Sequence, residues 1–147
     1  MAQPDIIRGT YFVLMLGDGA GPEVFTGLCG ITTRNFTGQV NTNDIFTRDC
    51  ADPENVPIRR VIATGKQWDL GGEGTLNRAQ LAVIQAELGN VSNYRLVFTE
   101  PADDLVYQGY WEGAFMLTNL QITASDENFA TISIQMASDN EVEFVEV

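Results

Sequence analysis

The sequence predicts an α+β fold, mainly antiparallel β: a β-sandwich or barrel with one flanking α-helix and a long inter-strand loop. Three observations carry this expectation. The C-terminal third alternates apolar and polar residues over strand-length runs, most clearly where Ala130, Ile132, Ile134 and Met136 interleave with Thr131, Ser133 and Gln135. Only residues 77–88 repeat their apolar positions at helical spacing. Residues 36–65 show neither period and are studded with Asn, Asp and Pro, the punctuation of turns.

Taken in order, residues 1–9 form an N-terminal arm. Thr10 to Leu16 is a β-rich run ended by Gly17-Asp18-Gly19 and Gly21-Pro22, which reads as a buried strand followed by a loop. Phe25 to Thr33 is expected as a second strand, weakened by Gly27 and Gly30. The excursion over residues 36–65 follows. Its aliphatics (Ile45, Val56, Ile58, Val61 and Ile62) and Phe46 make it too apolar for a solvated linker, so it is expected to order against something outside its own domain. Lys66 to Leu70 returns as a strand, which Gly71-Gly72-Glu73-Gly74 is expected to break.

The helix over 77–88 has Asn77 as N-cap, with Gln80 completing a capping-box spacing. Leu81, Ile84 and Leu88 lie on one face, and Gly89-Asn90 supplies the stop. From Tyr94 onward the chain is nearly all strand, with a turn at Pro101-Ala102-Asp103-Asp104. Trp111, Gly113, Phe115 and Leu117 share one parity while Leu120 and Ile122 take the other, so a bulge is expected near Thr118-Asn119. Ser125 to Asn128 makes a tight connection. Val142 and Phe144 close the chain opposite Glu141 and Glu143. No repeat and no linker divides the 147 residues, so one domain is expected over 1–147.

Composition excludes several functions. Twenty acidic against eight basic residues give a net charge of −12, the wrong sign for a chain that grips phosphates. There is no histidine, which removes every Ser–His, Cys–His and His-ligated metal site within this polypeptide. Cys29 and Cys50 are too few for a zinc cluster and are expected as unpaired thiols in a reducing compartment. The start, MAQPDIIRG, lacks a basic segment followed by an apolar core, so no signal peptide and a cytosolic origin are expected. No apolar run approaches the roughly 20 residues of a membrane span.

The carboxylate pairs Asp103/Asp104 and Glu141/Glu143 sit beside turns, where solvated charge is the simpler account than acid–base catalysis. Gly71-Gly72-Glu73-Gly74 lacks the Lys and Ser/Thr of a phosphate loop. Asp44, Asp49, Asp52 and Glu54 do not follow the calcium-loop spacing. No catalytic residue, metal or cofactor is expected. A ligand-binding or capsid-decorating β-sandwich is the alternative that composition leaves open.

Three segments in order narrow the choice. The first comprises Thr47-Arg48-Asp49, the Pro57-Ile58-Arg59-Arg60 region, Gly65-Lys66-Gln67-Trp68-Asp69-Leu70 and Gly72-Glu73-Gly74. The second is the capped helix. The third is Glu112-Gly113-Ala114-Phe115-Met116-Leu117-Thr118-Asn119-Leu120-Gln121-Ile122, then Asp126-Glu127 and Ala130 to Ile134. Over residues 25–147 this resembles the major tail (tail tube) proteins of long non-contractile-tailed phages and gene transfer agents. Its Asp52 to Pro57 insert departs from the shorter Gly/Trp-containing turn of relatives.

The resemblance implies six copies closing a ring, inner sheets joined as a β-barrel around a channel, and rings stacked through the loop over 36–65. Asn43, Asp44, Arg48, Asp49, Arg59 and Arg60 are its implied stacking residues. Implied partners are further copies of the chain, the tail terminator and the baseplate or distal tail proteins. DNA and the tape measure protein would pass through the lumen of a virion tail made in the bacterial host cytoplasm, with no membrane partner. An acidic wall repels phosphates, and Glu112, Glu141 and Glu143 are the candidates to line it.

Overall fold

The computed structural model describes residues 9–100 and 103–146. The expected arm, apart from Gly9, and Pro101-Ala102 of the expected turn lie outside them. A short 3-10 turn, Gly9–Tyr11, leads into β1, Phe12–Gly17, whose Leu14 and Leu16 face the core. β2 is only Phe25–Gly27, antiparallel to β1. The single strand expected over Phe25 to Thr33 is therefore two. The Leu28 amide donates to the Leu14 carbonyl at 2.8 Å and the Ile31 amide to the Leu28 carbonyl at 3.2 Å, and these bonds turn the chain between them.

β3, Ile31–Thr47, and β4, Ile58–Thr75, pair antiparallel along their whole length, from Ile31↔Gly74 to Thr47↔Ile58. This corrects the expected loop. Residues 36–65 are mostly ladder, and only 48–57 lie outside strands. Nor does the glycine run break β4, which continues to Thr75. Glycine serves close approach there: a Cβ on Gly74 would run into the Gly30 carbonyl and the Thr32 amide.

The helix is shorter than expected. α1 spans Leu81–Ala86, with Gln80 rather than Asn77 at its cap position. Asn77 instead organises the turn before it: its Oδ1 accepts from the Ala79 amide at 3.0 Å and its carbonyl from the Gln80 amide at 3.1 Å. The Gln80 side chain does not reach back as a capping box would. Its Nε2 donates to the Gly27 carbonyl at 2.7 Å and ties the helix to β2. Gly89 ends the segment at φ +82°, the left-handed conformation that its lack of a Cβ permits.

β5, Val91–Glu100, β6, Asp103–Ser125, β7, Asn128–Ser138, and β8, Glu143–Glu146, complete the chain. The expected bulge is present as a register shift between Leu117 and Asn119, and the tight turn as the Ser125↔Asn128 closure. The strand order is β2-β1-β5-β6-β7-β4-β3, with β8 beside β6. β6 carries β5 and β8 along its first half and β7 along its second. The sheet is open, but it curls until its two ends face one another. Arg34 of β3 donates to the Gly9 carbonyl ahead of β1 at 2.8 Å. Trp111 stacks on Phe12 and makes tilted ring contacts with Phe36 and Phe144, so that it touches three different strands.

Between the two halves lies one core. Leu14, Leu70, Phe115, Leu117, Ile134 and Met136 are nearly inaccessible, and Ile84 of α1 is buried with them. Tyr94 meets Phe115 edge-on at 6.2 Å. The alternation expected of β7 is observed, with Ile132, Ile134 and Met136 buried.

Candidate assembly surfaces

β7 covers β4 only from Asp69 to Thr75. Beyond that, the β3–β4 hairpin has no flanking strand among the described residues. From Val40↔Lys66 to Thr47↔Ile58 it projects as a two-stranded arm of roughly 26 Å, at about 3.3 Å per residue. A bulge at Asn41/Thr42 sets its twist, and the extra Thr64 donates from its hydroxyl to the Asn41 carbonyl at 3.0 Å.

Strand alternation sorts the arm residues onto two faces. Val40, Asp44, Phe46, Arg59 and Val61 lie on the face continuous with the core. Asn43, Ile45, Ile58, Arg60 and Ile62 lie on the other. Phe46 is 66% exposed and Ile62 67%, so each face of the ribbon carries uncovered apolar side chains among its charged and polar ones. A lone two-stranded ribbon is marginal in water.

Of the expected stacking residues, Asn43, Asp44, Arg59 and Arg60 sit in the ladder, with Arg48 and Asp49 in the tip. Asp44 and Arg59 come together at 4.0 Å, both exposed, a pair worth little by itself. Asp49 accepts from the Ala51 amide at 2.9 Å and shapes the turn. Among the described residues, no group of three or more Asp, Glu, Cys or His could hold a metal ion.

The candidate lumen acids fall at one place on the other half of the sheet. Register sets Arg95 of β5 opposite Glu112 of β6, and Glu112 opposite Glu143 of β8. The Arg95 guanidinium lies 3.3 Å from the Glu112 carboxylate. It sits over the ring of Phe25 at 3.8 Å and that of Tyr110 at 4.4 Å. One of the two facing carboxylates is thus neutralised, leaving Glu143 exposed beside it. Glu141 is exposed in the connection ahead of β8.

A cleft of about 480 Å³ opens between α1, the β1–β2 loop and the start of β5. Leu16, Leu28, Ala79, Val83 and Val91 supply its apolar walls, and Asp18, Glu23 and Glu87 its acids. Each acid is held by neutral donors. Asp18 Oδ1 accepts from the amides of Ala20 and Val24, which hold its carboxyl below the usual aspartate value. Glu23 accepts from the Gly19 amide at 3.1 Å and from Asn93 Nδ2 at 2.8 Å. Glu87 accepts from the Ser92 hydroxyl. Burial pushes the nearby Tyr94 hydroxyl well above its ordinary pKa, and the Glu87 charge adds to the shift. No sequence signal pointed to this cleft, because its residues come from four separate stretches.

Residues 6–144 match the family model described as phage tail tube protein. The chain belongs to that family. Its solved neighbours share the fold of this tail tube protein at low sequence identity. One is a chain of the virion of a native gene transfer agent particle, with TM-score 0.72, 16% identity, and 95% of this chain and 99% of that one covered. A second is from the tail of an empty gene transfer agent particle with C6 symmetry, at TM-score 0.70, 18% identity, and 95% and 99% coverage. A third is the SPP1 tail tube, at TM-score 0.70, 13% identity, and 97% and 80% coverage. Among curated protein sequences no relative matches. The tail tube protein is a structural subunit of a particle's tail, and the arm and the sheet edges are where such a subunit has surface left to cover.

Proposed function

We propose that six copies of this tail tube protein close into a ring, and that rings stack into a tube whose bore passes DNA and the tape measure protein. The arm over residues 40–66 joins successive rings, with Arg48, Arg59 and Arg60 as its cationic contacts and Asn43, Asp44 and Asp49 as polar ones. The observation that carries this reading is the arm itself. A two-stranded ribbon with large apolar side chains exposed on both faces gains stability when a neighbour covers them. The C6 symmetry of the neighbouring gene transfer agent tail supports six copies per ring.

The lumen face is assigned to the sheet carrying Glu112 and Glu143, with Glu141 at its rim. Glu112 is paired with Arg95, and the exposed carboxylates of Glu143 and Glu141 repel phosphate and give DNA no counterions to release. The ends of the tube meet the tail terminator and the baseplate proteins. The subunit carries no catalytic role.

Electron microscopy of the purified protein tests the proposal. Stacked rings or tubes of uniform bore are expected. A protein that stays monomeric across concentration and salt, even beside a tail initiator complex, would overturn it.

A further inference from the structure

We propose that β2 and the loop before it form an edge guard: fastened by Arg95, they hold the outer edge of β1 closed so that no second chain can add a strand there. This goes beyond the tail tube reading and does not depend on how rings form or stack.

The hazard lies in the sequence of β1. Tyr11-Phe12-Val13-Leu14-Met15-Leu16 is an unbroken apolar run without charge or proline. Such a segment templates strand addition when its edge is open. β5 takes one edge of this strand, from Phe12 to Leu16. On the other edge β2 pairs with Met15, Leu16 and Gly17, and the Leu28 amide donates to the Leu14 carbonyl at 2.8 Å. Past β2 the sheet ends. A long apolar edge is thereby replaced by one of three residues, preceded by Pro22 and Glu23. So short an edge offers another chain little to pair with.

Three register pairs are also too few to hold β2 by themselves. The fastening comes from side chains of other elements. The Arg95 guanidinium of β5 lies 3.8 Å from the centre of the Phe25 ring and 4.4 Å from that of Tyr110, with the Glu112 carboxylate of β6 at 3.3 Å. Cation–ring attraction strengthens as the cation loses water. Arg95 Nε is buried without a hydrogen-bond partner among the described residues, a loss that these contacts offset.

The guard is tied at further points. Gln80 Nε2, ahead of α1, donates to the Gly27 carbonyl at 2.7 Å, and Asn93 Nδ2 of β5 donates to Glu23 Oε2 at 2.8 Å. The Asp18 amide closes the loop on the Val24 carbonyl at 3.2 Å. Gly17 lets the loop lie flat on β1, because a Cβ there would collide with the Glu23 carboxylate and crowd the Phe25 ring. Contacts from outside its own ladder therefore decide whether β2 stays in place.

The test removes the clasp. Arg95→Met deletes the cation and keeps a long side chain. Chymotrypsin cleavage after Phe25, read by fragment mass, should accelerate about tenfold, because proteolysis follows the population of the opened segment. The same variant should form irregular aggregates that bind thioflavin T, distinct in electron micrographs from tubes of uniform bore. Arg95→Lys keeps a cation over the rings and should fall between the parent and Arg95→Met on both measures. Ile132→Ala weakens the core from β7 and leaves the guard fastened. Compared at equal distance below its Tm, it should show neither change.

Unchanged cleavage after Phe25 in Arg95→Met, or no rescue by lysine, overturns the fastening. Faster cleavage without aggregates at raised protein concentration overturns the guard, and so do matching effects from Ile132→Ala. If Arg95→Met does not fold, Gln80→Ala releases Gly27 from the other side and is read by the same two measurements, with the same outcomes deciding.

Discussion

Replacing Ile84 with alanine tests whether α1 is held by one side chain. The helix has six residues, too few to be stable alone, and Ile84 is its one buried residue at 5% exposed. The substitution removes three carbons, about 2.4 kcal/mol at roughly 0.8 kcal/mol per buried methylene, before any cavity is counted. With incomplete collapse the loss falls in the range of about 2–5 kcal/mol. For a domain of this size, a loss of about 3 kcal/mol lowers Tm by roughly 6–12 °C. Val83→Ala, one residue earlier and 49% exposed, should stay within about 0.5 kcal/mol. Urea and thermal unfolding of both variants, followed by circular dichroism under conditions that keep the subunit monomeric, give the comparison. Equal effects at the two positions, or less than about 1 kcal/mol at Ile84, would refute the account of how the helix is anchored.

Gly74→Ala should destabilise by at least about 1–3 kcal/mol, because its Cβ meets backbone of the Gly30–Thr32 segment rather than a movable side chain; an unchanged urea midpoint would contradict the packing described. Arg59→Glu combined with Arg60→Glu should abolish ring stacking with the monomer melting normally, and undiminished polymer yield would remove these arginines from the contact. Tyr94 has its pKa raised above the ordinary 10.0, chiefly by burial. Its stabilising contribution is therefore complete below about pH 10 and is lost as pH rises beyond it. Tyr94→Phe should flatten the decline of Tm above pH 10, and a parallel decline in both proteins would exclude this residue as the cause.

Much of the fold was legible where one face of a strand is buried. Ile132, Ile134 and Met136 announce β7 because their alternation is enforced by the core. The switch of parity between Leu117 and Leu120 located the bulge, since a register shift is the only way both can face inward. The arm was illegible for the opposite reason. With Phe46 and Ile62 exposed on opposite faces, no burial constraint imposes a two-residue period. Its ladder therefore read as an irregular loop.

The glycines of β4 misled because Gly is both a breaker and a spacer, and only the proximity of the Gly30 carbonyl shows which role applies at Gly74. Asn77 sits at a proper capping spacing, but Gln80 is drawn to the Gly27 carbonyl instead. The Arg95–Glu112 pair depends on register between β5 and β6, which residue spacing alone does not set.

Because β4 belongs both to the arm and to the body, the arm is not hinged on a loop. A pull along its axis passes from β4 into β7 through the pairs from Asp69↔Ala137 to Thr75↔Thr131, and from β7 into β6. Inter-strand hydrogen bonds lie perpendicular to the strands, so such a pull strains the whole ladder together in shear instead of unzipping it one bond at a time. From β6 the load divides into both halves of the sheet. Traction at the tip is spread over the subunit before any single bond bears it.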